Sequence, residues 1–208
     1  MCITKDTVIV GYSGFAKEIE WLLKCINREK FTYNFLGFID RISGNGIVGD
    51  DQWVCDYAKP LQVIVAIADC RSRYRLISQY KTNPNIIFPN VIEPSVKFDD
   101  TLEMGQGNII CANNILTVDV KIGNFNILNL NNTIGHECII GDFVTINPGC
   151  HISGNVMIKR NCFIGSGVTI LQGKIIEEAA IIGAGAVVID NIMPGTTNVG
   201  IPAKEVKK

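Results

Sequence analysis

Two histidines are present in the whole chain, His136 and His151, and the first is followed directly by an acid, Glu137. An imidazole can take up a proton near neutral pH, and a neighbouring carboxylate can fix its tautomer. His136 with Glu137 is therefore a candidate general base with its orienting group, although adjacency along the chain does not by itself ensure a hydrogen bond. A solvated edge histidine is the plainer alternative. Two histidines cannot build a catalytic zinc site of the three-histidine kind, and the eight cysteines include no Cys-x-x-Cys pair, so no metal is expected.

A second constellation lies near the start. Gly11-Tyr12-Ser13-Gly14-Phe15-Ala16-Lys17-Glu18 joins an apolar run to a helical pattern, where backbone N–H groups and the helix dipole favour a phosphate. The third glycine of a dinucleotide fingerprint is absent, with Ala16 nearest its place. Asp40 closes the second apolar run, a position where an acid meets a ribose or base or simply forms a turn. Loop and acid together favour a nucleotide at the carboxyl edge of a sheet.

The elements that must hold these residues differ between the two parts of the chain. Thr7–Gly11, Phe35–Ile39, Leu61–Ala68 and Asn85–Val91 read as strands. Ala16–Lys30, with Ile19, Leu22, Leu23 and Ile26 on one face, and the polar segment Arg71–Tyr80 read as helices. Strands alternating with helices imply βαβ units and a small parallel sheet, a Rossmann-like α/β domain over residues 1–90.

From Ile92 to Val188 an apolar residue then recurs at every sixth position, through Phe98, Met104, Ile110, Leu116, Ile122, Leu128 and onward. Neither a helix nor an ordinary strand holds a period of six. The period is that of a parallel β-helix, each hexad forming one side of a triangular prism and each coil taking eighteen residues. Residues 91–208 are expected to form this prism. It should end near Met193–Pro194, with Gly195–Lys208 as a tail.

The register works as a ruler. Cys138, Cys150 and Cys162 share the fifth hexad position with Val120, Val144, Val156, Val168, Ala180 and Ala186, so they read as small interior fillers. Gly105, Gly123, Gly135, Gly141, Gly165 and Gly183 share the second, where the chain is expected to turn its corners. His151 does not stack with His136. Gly154 does, one coil on, followed by Gln172 beside Gly173, and an exposed Gly154 N–H could polarise a thioester carbonyl. Asn129, Asn131 and Asn132 break the pattern one hexad before His136. They read either as an interior hydrogen-bonded ladder or as groups that orient a substrate.

Composition narrows the partners. Of 208 residues 47% are hydrophobic and 19% charged, with a net charge of −1, which argues against nucleic acid or an anionic membrane surface. No apolar run reaches membrane-spanning length and Met1–Thr7 lacks the pattern of a signal peptide, so a cytoplasmic location is expected.

Gly11–Glu18, Ile134–Phe143 (IGHECIIGDF) and Gly200–Lys204 (GIPAK), in this order, resemble the sugar acyltransferases of the sialic acid O-acetyltransferase and bacillosamine-pathway N-acetyltransferase type. The resemblance implies a homotrimer of left-handed β-helices, with acetyl-CoA between neighbouring prisms and a nucleotide-linked amino sugar on the N-terminal domain. It implies His136 as base, Glu137 as its orienting acid, Asn129 near the sugar, Gly154 at the acetyl carbonyl and Gly173 at the pantetheine. Gly11, Ser13, Gly14, Lys17 and Asp40 would take the nucleotide side. Two places depart from the family. Thr145 stands where relatives carry a second histidine near the thioester, and Phe15 stands where the loop carries another. The expected activity is acetyl transfer from acetyl-CoA to the amine of a nucleotide-linked 4-amino-4,6-dideoxy sugar. The alternatives are O-acetylation of a sugar such as sialic acid, and a non-catalytic binding protein that keeps the prism.

Overall fold

In the computed structural model, which describes residues 5–206, the first apolar run is the middle strand of a parallel sheet. Its strands are β1 (Lys5–Val10), β2 (Tyr33–Ile39), β3 (Ile47–Gly49), β4 (Leu61–Val65) and β5 (Ile86–Ile87), in the order β3-β2-β1-β4-β5. Val8, Ile9, Leu61, Val63 and Ile64 are buried. These continuous aliphatic runs mark strands covered on both faces. Helix α1 (Gly14–Glu29) buries Ala16, Ile19, Leu22 and Leu23, while Ile26 on the same face is half-buried. It begins two residues before the expected start, since Gly14 and Phe15 complete its first turn.

Helices α2 (Asp51–Cys55) and α3 (Cys70–Tyr80) each start on an aspartate cap. Asp50 accepts the Trp53 N–H and Asp69 the Ser72 N–H, contacts that hold the first turns. β3 and α2, three and five residues long, carry too few residues for any period to show in the sequence. Asn85–Val91 contributes only a two-residue strand to this sheet, Ile86–Ile87. Arg73, buried on α3, donates from Nη1 to the carbonyls of Ile67 (2.6 Å) and Ala68 (3.0 Å). It ties down the segment that leaves β4. Burial pushes its guanidinium pKa down.

The chain divides between Pro94 and Ser95 into two compact units, the second holding the prism. Up to Val188 its strands are two residues long and repeat in three columns. One column runs Lys97–Phe98, Ile115–Leu116, Thr133–Ile134, His151–Ile152, Thr169–Ile170 and Val187–Val188. Pairing is parallel at a step of eighteen, as in Thr133 with His151 and Ile139 with Met157. The first residue of nearly every hexad is buried; Phe98, in the first coil, is 49% exposed.

The fifth positions are interior, and Cys138, Cys150 and Cys162 are fully buried there. Burial raises the Cys138 thiol pKa and pushes that of Cys150 to about 11. In the earlier coils asparagines take this slot and form two ladders. Asn108 accepts the Asn126 N–H and Asn126 that of Val144; Asn114 accepts the Asn132 N–H and Asn132 that of Cys150. The ladder is thus the account of Asn132. Asn131 is not in it: it is exposed and at φ +62°.

The corners also differ from the expectation. The residues at left-handed φ are those of the fourth position, among them Asn113, Asp119, Glu137, Asn155 and Gly173. The second-position glycines are required by close approach instead: a Cβ on Gly135 would sit 2.6 Å from the Gly154 nitrogen. The ladder continues past Pro194, because Thr197–Val199 pairs in parallel with Ile181–Ile182 and Lys204–Glu205 returns antiparallel on it. What read as a tail is therefore part of the sheet.

Candidate active site

His136 is third in its hexad and Glu137 fourth. The fourth position puts Glu137 at φ +59°, a conformation that costs a non-glycine residue about 1 kcal/mol. Asp119 and Asn155, one coil to either side, take nearly the same φ, so the coil imposes it rather than the site. The turn sets the carboxylate beside the ring, with Glu137 Oε2 at 3.0 Å from His136 Nδ1. With Nδ1–H donating to the carboxylate, Nε2 is left with its lone pair free to accept a proton. Both side chains are at least half exposed.

Nε2 faces Gly154. A Cβ added there would fall 2.3 Å from Nε2, 2.5 Å from Cε1 and 2.8 Å from Cδ2, so the ring occupies the space that any side chain would need. The Asn155 N–H donates to the His136 carbonyl (2.7 Å) and the Gly173 N–H to the Gly154 carbonyl (3.1 Å). The Gly154 N–H itself donates to no other described residue. Gly173 is exposed, and its φ of +71° with no atom near its Cβ position makes the backbone conformation the reason for glycine. His136, Glu137, Gly154 and Gly173 thus lie together along one edge of the prism. That edge offers a base, its orienting acid and the open surface at Gly173, while Gly154, expected to be exposed, is buried beneath the ring.

The other expected residues fall elsewhere. Asn129 is half-buried; its Oδ1 accepts the Leu130 N–H, and its carbonyl accepts from Asn114 and Asn132. No hydrogen bond joins it to His136. Thr145, expected at the thioester, is instead 1% exposed. It sits in the strand column between Ile127 and Phe163, so its hydroxyl is enclosed rather than presented on the edge. His151 is exposed on a different column, with Nδ1 3.0 Å from Thr133 Oγ1. Among the described residues no three His, Cys, Asp or Glu side chains are grouped to hold a metal ion.

In the N-terminal unit two hollows share Asp40 and Arg41. One, of about 250 Å³, lies at the carboxyl end of the sheet and is lined by Gly11, Ile67, Ser72 and Arg75 among others. The second, of about 460 Å³, is lined by Ile47, Val48, Asp50 and Trp53. Gly11 is at φ +105°, a conformation that favours glycine, and a Cβ there would lie 3.0 Å from Ile67 Cδ1. Gly11 and Asp40 are therefore brought together, while Ser13, Gly14 and Lys17 line neither hollow. Ser13 is the N-cap of α1 without a side-chain bond, and the Lys17 ammonium lies 5.0 Å over the Tyr12 ring. Asp51, Ser72, Arg75 and Trp53 were not singled out from sequence. The helical spacing of Arg71–Tyr80 and the Asp69-x-x-Ser72 cap are the local signals that a helix carries Ser72 and Arg75.

A family model for the bacterial transferase hexapeptide, six repeats long, matches residues 137–172. No curated protein matches the chain in sequence. WeeI from Acinetobacter baumannii AYE is 30% identical, with a TM-score of 0.85 over 98% of this chain and 100% of that one. The chain belongs to the hexapeptide-repeat transferases. Its prism is the left-handed parallel β-helix of that family, and its two units together match the sugar acyltransferase type. The acetyltransferase domain of PglB from Neisseria gonorrhoeae FA1090 is 27% identical, with a TM-score of 0.90 over 98% of this transferase and 100% of that domain. PerB from Caulobacter crescentus, solved in complex with CoA and GDP-perosamine, is 26% identical with a TM-score of 0.88, over 99% and 98% of the two chains.

Proposed function

We propose that this transferase moves the acetyl group of acetyl-CoA to the amine of a nucleotide-linked amino-deoxy sugar. The observation that carries the reading is the His136–Glu137 pair, hydrogen-bonded at Nδ1 with Nε2 turned to Gly154. Two relatives support the co-substrates: the PglB domain has been solved with acetyl coenzyme A, and PerB with CoA and GDP-perosamine.

In the reaction the sugar amine attacks the thioester carbonyl carbon, forming the C–N bond, and His136 Nε2 takes the proton the nitrogen loses. Glu137 holds the imidazole in the accepting tautomer and stabilises the imidazolium that forms. The Gly154 N–H stabilises the oxyanion of the tetrahedral intermediate. Collapse of that intermediate breaks the C–S bond, and the imidazolium returns its proton to the leaving thiolate, so amide and CoA thiol are formed and the base is regenerated. Gly173 gives the pantetheine arm a surface without side chains. In this reading Asn129 serves the sugar, Gly11 at the start of the Gly11–Lys17 loop serves the phosphates, and Asp40 the nucleoside, while Ser13, Gly14 and Lys17 line neither hollow.

Apolar side chains are exposed on all three columns of the prism, Ile115, Ile139 and Ile181 among them. Association into a homotrimer would cover such faces. No helix among the described residues is long and apolar enough to cross a membrane, and we place the enzyme in the cytoplasm, with both co-substrates. Thiol release from acetyl-CoA, measured with GDP-, UDP- and dTDP-linked 4-amino-4,6-dideoxyhexoses and with sialic acid, tests the reading. Release is expected with at least one amino sugar nucleotide and not with sialic acid; the reverse result overturns N-acetylation.

A further inference from the structure

We propose that the hollow walled by Asp40, Arg41, Asp50 and Trp53 is a guanine pocket, and that Arg41 is the residue that selects the base. The inference rests on the nucleotide-sugar reading above and adds which nucleotide the site takes.

The two hollows that meet at Asp40 and Arg41 differ in chemistry. The smaller one has Gly11 at the sheet's carboxyl end together with Ser72, two arginines, Arg41 and Arg75, and two carboxylates, Asp40 and Asp51, so its charges balance. Arg75 pairs with no acid among the described residues, so a free guanidinium and a hydroxyl line it, partners suited to a diphosphate. The larger hollow has two carboxylates, Asp40 and Asp50, and the apolar walls of Ile47, Val48 and Trp53. There a single arginine, Arg41, faces two carboxylates, a net negative charge that disfavours a phosphate and accepts N–H groups, so the base belongs there and not the diphosphate.

The hydrogen-bonding groups left over in that hollow can be counted. Asp40 Oδ1 is spent on the N–H groups of Arg41 (2.7 Å) and Ile42 (3.4 Å), and Asp50 Oδ1 on that of Trp53 (3.0 Å). Each keeps its second oxygen as an acceptor. Arg41 is steered by Asp51, whose Oδ2 lies 3.5 Å from Nη2. Asp51 is itself held by the hydroxyl of the buried Tyr80, 2.5 Å from Oδ1. Asp51 is thus occupied at both oxygens, and the remaining N–H groups of Arg41 are left for a ligand. Trp53 is seated so closely over Gly49 that a Cβ there would fall 2.4 Å from the ring, which fixes one flat wall.

A ligand for these groups must give N–H donors to carboxylate oxygens and acceptors to a guanidinium. Guanine offers N1–H and the N2 amino group side by side, and O6 with N7 as the pair that arginine meets in bidentate fashion. Uracil and thymine offer a single ring N–H between two carbonyls, and adenine offers an amino group beside ring acceptors but no ring N–H next to it. Guanine alone among these bases carries two adjacent N–H groups, one for each free carboxylate oxygen, together with an acceptor pair for the guanidinium.

Calorimetric titration of the full-length protein with GDP, UDP, dTDP and ADP tests the assignment. GDP is expected to bind at least about fivefold more tightly than the others, the lower end of what one bidentate base contact gives. Arg41→Ala should remove that preference, lowering GDP affinity by the same factor or more and changing UDP affinity less than about twofold. Arg41 is three-quarters exposed, so the variant is expected to fold, and a thermal melt checks this. UDP or dTDP binding as tightly as GDP, binding of none of the four, or an unchanged preference in Arg41→Ala would each overturn the proposal. Acetyl transfer assayed alongside keeps the two readings apart. Preferred acetylation of a UDP- or dTDP-linked amino sugar sinks the guanine pocket alone. GDP-selective binding without acetyl transfer to any amino sugar nucleotide sinks the reaction alone.

Discussion

Replacing Gly154 by alanine would test the geometry of the base with a single methyl group. The residue is not at left-handed φ, so the backbone accepts alanine without strain, and the unfolded chain loses freedom worth about 0.4–1 kcal/mol in favour of the fold. The new Cβ would meet Nε2 at 2.3 Å, against an ordinary contact of at least 3.4 Å, so the ring must retreat by about 1 Å, a misplacement that can cost on the order of 10²-fold in rate. His136 is half exposed and free to move outward, so the clash is relieved at the expense of its alignment with Glu137 and with the acetyl carbonyl. Melting temperature should therefore stay within a few degrees of the native value while turnover falls about a hundredfold. That corresponds to about 2.7 kcal/mol of lost transition-state stabilisation. The assay is steady-state thiol release at saturating acetyl-CoA, beside a thermal melt of the same preparation. Turnover within about threefold of native, in a folded protein, would refute the placement of Nε2 against Gly154.

Three further outcomes follow from the same structure. Glu137→Ala frees the Nδ1 side of the ring and should lower turnover by about tenfold or more without lowering stability, since the lost partner is an exposed group; unaltered kinetics would remove its orienting role. Burial raises the thiol pKa of Cys150 to about 11 and shifts that of Cys138 upward too. At pH 8 only about one Cys150 in a thousand would be thiolate. Alkylation followed by mass spectrometry should label the half-buried Cys25 and Cys55 and spare Cys138 and Cys150 until denaturant is added. Asn132→Val strands the Cys150 N–H that its Oδ1 accepts and should destabilise the prism by about 1–3 kcal/mol in urea melts, leaving turnover per folded molecule near native.

The sixfold period made the prism legible from the chain because every coil repeats one environment, so a single rule predicts burial for nearly every hexad. The same ruler placed Gly154 one coil from His136, and the structure brings the two into contact. It could not tell which hexad position turns the chain, since glycine at the second position and left-handed φ at the fourth both follow the period. Nor could it show that the turn at Glu137 brings its carboxylate onto Nδ1. Thr145 departs from its expected place for a related reason: the outer face of its column is buried at Ile109, Ile127 and Thr145 and opens only at Ile181, and no local pattern marks the change. In the N-terminal unit the strand runs and Asp40 were legible as long apolar segments with an acid at the end. The groups that complete its hollows come from β3, α2 and α3, where short elements, caps and a long-range Tyr80–Asp51 bond decide the arrangement.

The central claim is that His136 removes the proton from the attacking amine. The most direct measurement is turnover of His136→Asn with an amino sugar nucleotide that the native enzyme acetylates, with acetyl-CoA affinity measured calorimetrically on the same sample. A positioned base contributes on the order of 10²–10⁴-fold, so turnover should fall by that factor while acetyl-CoA affinity changes by less than about twofold. Turnover close to native in the folded variant would contradict the account.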